Sequence, residues 1–230
     1  MRPVVEVRDL WFGFDGANPV LRGVSFCVYE GERVGVVGAN GAGKSTLLWC
    51  LLGLYKPRGE VRLFGEPVRR ALLARAGVVF QNPEDMLFMP ALEGDLALPL
   101  VNRGAGKAEA QEQAREALRR VGLEGYEGRP ASSLSLGQRK RAAIAAAVVT
   151  APELLILDEP TAELDGRAVR MVADLVRDMG VTSLITSHDL GFLGGVATRV
   201  LVLDGGAIVA GGAPGEIFSD RARLEVWGLV

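Results

Sequence analysis

The residues with the clearest chemistry form a glycine-rich segment with the spacing G-x-x-x-x-G-K-S. Glycines let a backbone turn tightly, so successive N–H groups can point into one concavity that fits phosphate oxygens. In such a loop the lysine reaches the β- and γ-phosphates of a nucleotide, and the serine hydroxyl binds Mg²⁺. The alternative, a strand–helix turn without a ligand, is disfavoured by this spacing. The segment comprises Gly38, Ala39, Asn40, Gly41, Ala42, Gly43, Lys44, Ser45 and Thr46.

Two carboxylates follow an apolar run later in the chain. Residues 154–157 are all Leu or Ile and lead directly into Asp158 and Glu159. A buried parallel strand that ends in acid places the acid at the carboxyl edge of the sheet, where ligands of α/β proteins bind. We expect Asp158 to hold Mg²⁺ and Glu159 to act as general base toward an attacking water. The alternative is a carboxylate pair that only caps the strand end.

Gln81 and His188 stand at the ends of two further predicted strands. Gln81 is a candidate ligand of Mg²⁺ or of the attacking water, and the alternative is an amide that caps backbone groups. His188 is the only histidine in the sequence, and a lone histidine is usually structural or exposed. At the same sheet edge as Asp158, however, its imidazole is a candidate partner of the γ-phosphate or the water.

A second candidate anion site precedes an alanine-rich helix. The segment Leu134–Gln138 places Ser135, Gly137 and Gln138 at the predicted helix N-terminus. Free N–H groups and the helix dipole favour an anion there. An ordinary serine N-cap explains the same residues, and the segment alone favours that interpretation.

The flanking patterns predict an α/β protein with a helical insert. Alternating and buried apolar runs predict the strands, and apolar residues at helical spacing predict the helices. Residues 60–65 are predicted to form an antiparallel edge strand, and Phe14-Asp15-Gly16 a turn that carries an aromatic ring. The predicted core spans 1–81 and 151–230, and the mainly α-helical insert spans 82–150. The strands are expected at 4–8, 20–29, 33–37, 60–65, 76–80, 154–158, 181–187, 199–203 and 207–210, and the helices at 45–52, 109–121, 137–150 and 166–179.

Composition limits the function further. The 230 residues are 49% hydrophobic and 23% charged, which suits one large packed domain. A net charge of -2 disfavours a nucleic-acid partner. No apolar run approaches the ~20 residues that span a bilayer, and the N-terminus does not have the pattern of a signal peptide. A membrane role would therefore need a separate partner chain.

Taken together, these segments resemble the ATP-binding subunit of ATP-binding-cassette (ABC) transporters over nearly the whole chain. The resemblance implies a P-loop NTPase core with an antiparallel β subdomain and a helical signature subdomain, and ATP and Mg²⁺ as cofactors. The matches are Gly38–Thr46 with Walker A, Phe14 with the base-stacking aromatic, Gln81 with the Q-loop, Leu134–Gln138 with the signature motif, Leu154–Glu159 with Walker B, residues 162–165 (ending in Asp165) with the D-loop, and His188 with the switch histidine.

The resemblance also implies partners. Two cassettes, identical or paralogous, pair head to tail, and each ATP lies between Walker A of one chain and the signature motif of the other. Ser135 and Gly137 would then contact the γ-phosphate in trans. ATP favours closure because it contacts the second chain only in the closed dimer. Closure and hydrolysis drive a transmembrane subunit, which places the chain peripherally at the cytoplasmic face of the membrane.

Local segments look like the ATPases of cobalt/nickel and energy-coupling-factor vitamin importers, notably residues 79–85 and 205–218. The sequence departs from the common family pattern at Leu136, where the signature usually has glycine, at Met86, and at Ala162-Glu163 in the D-loop. Phe14 stands where tyrosine is commoner. The other functions considered are a soluble ABC ATPase of an assembly or repair machine, an ABC importer of another cargo, and an ATP-gated dimerisation module without turnover. Glu159 and His188 argue against the last of these.

A docking site for the membrane subunit is predicted near Gln81–Pro90. Its apolar part, Met86-Leu87-Phe88-Met89-Pro90, has large flexible side chains that suit an adaptable groove. The alternative is burial of these side chains in the core of the helical insert.

Overall fold

Two β-sheets and a block of helices make up the fold. The computed structural model describes residues 2–14 and 18–230, so Asp15 and Gly16 of the predicted turn lie outside the described residues. One sheet is antiparallel with the order β2-β1-β4-β5. The strand predicted at 60–65 is β4, which pairs with β1 on one side and with β5 on the other. The prediction that it forms the sheet edge was therefore wrong, because the two-residue β5 covers it. The four strands are β1 (Pro3–Phe12), β2 (Leu21–Tyr29), β4 (Arg58–Leu63) and β5 (Glu66–Pro67).

The second sheet positions the candidate site. Its order is β10-β9-β3-β8-β7-β6, and all neighbouring pairs are parallel except β10 with β9. The carboxyl ends of the parallel strands therefore meet at one edge, which is where α/β proteins bind ligands. The strands are β3 (Arg33–Val37), β6 (Ala76–Val79), β7 (Leu154–Asp158), β8 (Ser183–Ser187), β9 (Arg199–Asp204) and β10 (Ala207–Gly212).

The helices lie between these strands and after them. The long amphipathic α6 has the bounds predicted from its periodicity, whereas α3 was not predicted because Gly94 and Pro99 interrupt its sequence. Between β6 and β7 the described secondary structure is entirely helical. The helices are α1 (Lys44–Leu51), α2 (Arg70–Leu73), α3 (Leu92–Asn102), α4 (Lys107–Arg120), α5 (Leu136–Val148), α6 (Gly166–Met179), α7 (Leu190–Val196), α8 (Pro214–Ser219) and α9 (Arg221–Val226).

The parallel sheet separates two apolar cores. Successive residues of a strand point to opposite faces, so Leu155 and Leu157 pack with the helices α3 to α7 on one face. Leu154 and Ile156 pack against α1 and the antiparallel sheet on the other. Strand β7 is buried throughout, as expected for a parallel strand with both faces covered. The helical block from α3 to α5 thus shares a core with the sheet.

Across the described ranges 2–14 and 18–230, none of the helices combines the length and the apolar character that a bilayer crossing requires.

Candidate functional site

The phosphate loop connects β3 to α1. Buried Val34, Val36 and Val37 fix the strand, and the chain turns at Gly41 and Gly43, whose φ angles are 83° and 105°. L-residues rarely adopt such angles, whereas glycine does so without steric cost. Gly43 is also the N-cap of α1, and α1 receives no hydrogen bond from an N-cap side chain.

Close packing behind the loop requires glycine at Gly38 and Gly43. A Cβ atom on Gly38 would lie 2.4 Å from the carbonyl oxygen of Leu203, and one on Gly43 would lie 2.9 Å from Leu21 Cδ2. Both distances are shorter than a carbon contact allows. The loop is therefore held against the fold while its front faces the cavity described below.

Lys44 is a buried lysine with its ammonium group inside the loop. Its exposed fraction is 7%, and Nζ donates to the carbonyl oxygens of Gly38 (2.7 Å) and Ala39 (3.3 Å). It also forms an ion pair with Glu159 Oε1 at 3.3 Å. These partners keep a buried charge satisfied, as burial demands, at the position where a lysine of such a loop reaches nucleotide phosphates.

Glu159 and His188 lie together at the carboxyl edge of the sheet. Glu159 follows β7, is 5% exposed, and has a left-handed φ of 45°. His188 Nδ1 lies 2.9 Å from Glu159 Oε2. With an ionised carboxylate and a neutral imidazole, Nδ1 donates in this contact and Nε2 is the nitrogen that can accept a hydrogen bond. The structure thus brings together Lys44, Glu159 and His188, the three residues predicted to be catalytic.

The three residues predicted to hold Mg²⁺ surround one cavity. Ser45, Gln81 and Asp158 all line it, together with the start of α5. Asp158 Oδ1 accepts a hydrogen bond from Thr186 Oγ1 at 2.6 Å, which fixes the orientation of this buried carboxylate. Hydroxyl, amide and carboxylate oxygens are the hard ligands that Mg²⁺ prefers, and a phosphate-bound Mg²⁺ needs only one or two of them from protein. The residues present fit that ion.

A second cavity of about 610 Å³ extends from the phosphate loop to His188. Phe14 forms one wall: its ring is 65% exposed and makes edge contacts with Phe12 and Tyr55 at centroid distances of 5.2 and 5.5 Å. Because most of Phe14 stays exposed despite these contacts, it retains surface for stacking, and the packing and base-stacking interpretations of Phe14 are compatible. The predicted residues that line this cavity are Phe14, Asn40, Gly41, Gly43, Lys44, Ser45, Thr46, Gln81, Glu159 and His188.

The signature residues are placed differently. Ser135 is the N-cap of α5 and forms a capping box with Gln138, with bonds of 2.9 and 3.4 Å. Gly137 faces α6, where an added Cβ would lie 3.3 Å from the Cβ of Ala168. Among the described wall residues of both cavities, Leu136 is present and Ser135, Gly137 and Gln138 are not. The structure therefore does not bring these three residues to the phosphate loop of their own chain.

Asp165, the predicted D-loop residue, is the N-cap of α6. Its Oδ1 accepts from the backbone N–H of Ala168 at 2.8 Å, and it is exposed. Glu163, two residues earlier, lines both cavities and has a left-handed φ of 64°. The D-loop thus presents Glu163 to the site while Asp165 stabilises the helix.

Sequence reasoning missed two residues that touch the site. Thr186 orients Asp158, and a threonine at the end of an apolar strand gave no separate signal. Lys140 is 2% exposed and donates to the carbonyl oxygen of Glu159. A signal for Lys140 did exist, because Lys140, Ala143, Ile144 and Ala147 share the i, i+3, i+4, i+7 spacing of a buried helix face, and all four are buried.

The segment Met86–Pro90 divides between core and surface. Leu87 is 6% exposed and packs in the core shared with the sheet, so its predicted place in the docking groove was wrong. Phe88, by contrast, is 68% exposed. Buried Asp95 accepts from the backbone N–H groups of Phe88 and Met89, both at 2.9 Å. Burial raises the pKa of Asp95, and these two hydrogen bonds oppose the rise. Asp95 thereby fixes the backbone that presents the Phe88 ring.

The chain is similar to known proteins of one family. The model of the family described as ABC transporter matches residues 21–162. The energy-coupling factor transporter ATP-binding protein EcfA of Methanothermobacter thermautotrophicus is 42% identical over 96% of this chain and 75% of that protein. The structure of cbiO1 from Clostridium perfringens, part of the ABC transporter complex cbiONQ, is similar with a TM-score of 0.87 and 31% identity, covering 100% of this chain and 96% of that one.

A third relative is a dimer. The post-hydrolysis state of the ATP-binding cassette MJ0796, bound to ADP and Pi, is similar with a TM-score of 0.81 and 26% identity, covering 91% of this chain and 98% of that one.

Proposed function

This chain belongs to the ABC transporter family and is an ATPase, and we propose that it powers a membrane importer of a metal ion (cobalt or nickel) or a vitamin. One observation carries the assignment of its site: Lys44, Glu159 and His188 form a continuous line of contacts, at 3.3 and 2.9 Å, beside the phosphate loop. An ammonium, a carboxylate and an imidazole at these positions supply the charge and the proton acceptor that phosphoryl transfer to water requires.

In the proposed reaction Glu159 accepts a proton from water as the water oxygen bonds to the γ-phosphorus. The bond between the γ-phosphorus and the β–γ bridging oxygen breaks, which gives ADP and phosphate. Lys44 and the loop amides stabilise charge on the phosphate oxygens. His188, held by Glu159 through Nδ1, presents Nε2 toward the water or the γ-phosphate. Mg²⁺, with Ser45, Gln81 and Asp158 as its proposed protein ligands, supplies charge neutralisation when it is bound.

The proposed active form contains two cassette chains. The phosphate loop, Glu159 and His188 line one cavity, whereas Ser135 and Gly137 lie outside its wall. A second chain, identical or paralogous, would bring its Ser135 and Gly137 to the γ-phosphate, as the resemblance to the family implies. The dimeric state of the MJ0796 relative supports this arrangement.

The importer role is favoured over a soluble ABC ATPase by the relatives. Proteins called energy-coupling factor transporter ATP-binding proteins cover nearly the whole chain, and cbiO1 is part of a transporter complex. We place the chain peripherally at the cytoplasmic face of the membrane, bound to transmembrane subunits.

The proposed contact with a transmembrane subunit centres on the exposed ring of Phe88. A charge there removes an apolar anchor, so Phe88→Asp should lower the ATPase activity that transport substrate stimulates in the assembled membrane complex. The activity of the isolated chain should stay within about twofold, since Phe88 is exposed and surface changes are usually small. Val101→Asp, at another exposed apolar position of the helical block, is the matched control. Equal stimulation in both variants would reject Phe88 as the anchor.

Glu159→Gln tests the catalytic assignment. The amide keeps the shape of the side chain and cannot accept a proton as a carboxylate does, so kcat should fall about 10²- to 10⁴-fold. ATP binding should persist, and the variant should accumulate as an ATP-bound dimer on a size-exclusion column.

Glu153→Gln is the control for this experiment. Glu153 lies at the opposite end of β7, is exposed, and pairs with Arg75, so its loss should affect hydrolysis little. Undiminished hydrolysis by Glu159→Gln would refute Glu159 as the general base.

A further inference from the structure

Lys140 connects the signature helix to the ends of two active-site strands. It lies on α5, five residues after Ser135, and its side chain is 2% exposed. Nζ donates to the carbonyl oxygen of Gln81, just beyond β6, and to that of Glu159, just beyond β7, the latter at 3.2 Å. Strands β6 and β7 are neighbours in the sheet, so one ammonium group joins both to α5.

Packing alone does not account for a charge at this position. A buried ammonium costs several kcal/mol unless it is well paired, and an apolar side chain of similar volume fills such a site without that cost. Burial lowers the pKa of Lys140, and the nearby carboxylates of Glu163, Glu159 and Asp158 oppose that shift. Two of the three N–H donors of Lys140 bond to the carbonyl groups of Gln81 and Glu159.

The carbonyl group of Glu159 belongs to a backbone that needs support. Its φ of 45° costs a non-glycine residue about 1–2 kcal/mol. Its N–H donates to the carbonyl oxygen of Thr186 at 3.0 Å, and its carbonyl oxygen accepts from Lys140. The backbone is thus held on both sides, by β8 and by α5, in the conformation that directs the carboxylate to Lys44 and His188.

We propose that Lys140 is a positioning residue that makes the placement of the Glu159 carboxylate and of Gln81 depend on the position of the α5 N-terminus. That end of α5 bears Ser135 and Gly137, five and three residues before Lys140. A shift of this helix end on contact with phosphate would therefore move the Glu159 carboxylate through the Lys140 side chain. The inference rests on the proposed role of Glu159 in hydrolysis.

The test compares three variants of the full chain. Lys140→Met removes both hydrogen bonds and keeps the volume, Lys140→Gln keeps an N–H donor without the charge, and Lys107→Met changes an exposed lysine of α4 as the matched control. A misplaced carboxylate should lower kcat of Lys140→Met about 10-fold or more, with KM for ATP within about threefold. Lys140→Gln should retain a larger share of kcat, and Lys107→Met should match the unchanged chain.

Hydrogen exchange supplies the readout that a general packing defect would not give. In Lys140→Met the amides of residues 159–163 should exchange faster, while α3 and α4 keep their protection. The proposal is overturned if kcat is unchanged, if KM carries the whole effect, if protection falls throughout the chain, or if neither Lys140 variant folds. If the chain without any substitution hydrolyses no ATP, the proposed function itself is overturned.

Discussion

The N-termini of α1 and α5 form an instructive pair. Each helix starts near a glycine and a hydroxyl-bearing residue. The first was predicted as an anion site from its spacing, whereas the second segment alone favoured an ordinary serine N-cap and only the family resemblance implied a phosphate contact. The N-cap of helix α1 is Gly43, which has a left-handed conformation and provides no side-chain cap. The N-cap of helix α5 is Ser135. Its hydroxyl accepts a hydrogen bond from the Gln138 backbone N–H, and the Gln138 side chain accepts one from the Ser135 backbone N–H.

The difference teaches what each helix end requires to bind phosphate. The end of α1 is shaped by glycines, packed from behind, and lines the cavity together with Glu159 and His188. The end of α5 already has its own polar partners, although the bond from the Gln138 N–H to Ser135 Oγ is long at 3.4 Å. A long hydrogen bond is weak, and in the proposed dimer the phosphate bound by a second chain replaces it. Under the proposed function, the end of α1 binds phosphate with residues of its own chain, whereas the end of α5 does so only in a dimer.

The same substitution at both ends gives the largest expected contrast. Gly43→Ala forces a left-handed alanine and a Cβ 2.9 Å from Leu21, so it should lower the free energy of unfolding by about 3 kcal/mol. In Gly137→Ala the added Cβ lies 3.3 Å from the Cβ of Ala168, and alanine has the higher helix propensity. The free energy of unfolding should therefore change by less than about 1 kcal/mol. Urea unfolding of both variants measures the difference. Equal losses would show that the two ends are under the same backbone constraint.

A smaller effect is expected from Ser135→Ala. Loss of the N-cap should cost about 1 kcal/mol of stability, and ATP binding to dilute chain should not change, because Ser135 lies outside the cavity of its own chain. ATP hydrolysis should fall sharply, since the proposed contact in trans is lost. Hydrolysis per chain should also decrease when the unchanged protein is diluted. A rate per chain that is independent of concentration would contradict the need for a second copy.

The loop and strand edges were predictable because their signals are local. The spacing of Gly38, Gly43 and Lys44 specifies a backbone shape, and the buried run of β7 places Asp158 and Glu159 at the sheet edge in one step. Contacts that depend on packing between distant segments were less predictable. Lys140 was missed because a lysine in an alanine-rich helix is usually solvated, and its carbonyl partners lie 59 and 19 residues away.

In irregular segments, side-chain burial and strand pairing were hard to predict for a different reason. Leu87 and Phe88 are adjacent and both apolar, yet the first is buried and the second exposed. Without helical or strand periodicity, the sequence does not show which one faces inward; in the structure the Phe88 and Met89 amides are bound by Asp95. Likewise, nothing in residues 60–65 shows that β5 would pair beside them and remove them from the edge.

The core shared by the helical block and one face of the sheet has a consequence for denaturation. Leu96, Ile144 and Leu157 belong to the same apolar cluster, although the first two come from the insert and the third from the sheet. The insert cannot detach without exposing that cluster to water, so heat or urea should melt insert and sheet in a single cooperative transition. A peptide excised as residues 83–149 would carry an uncovered apolar face and would be prone to aggregate.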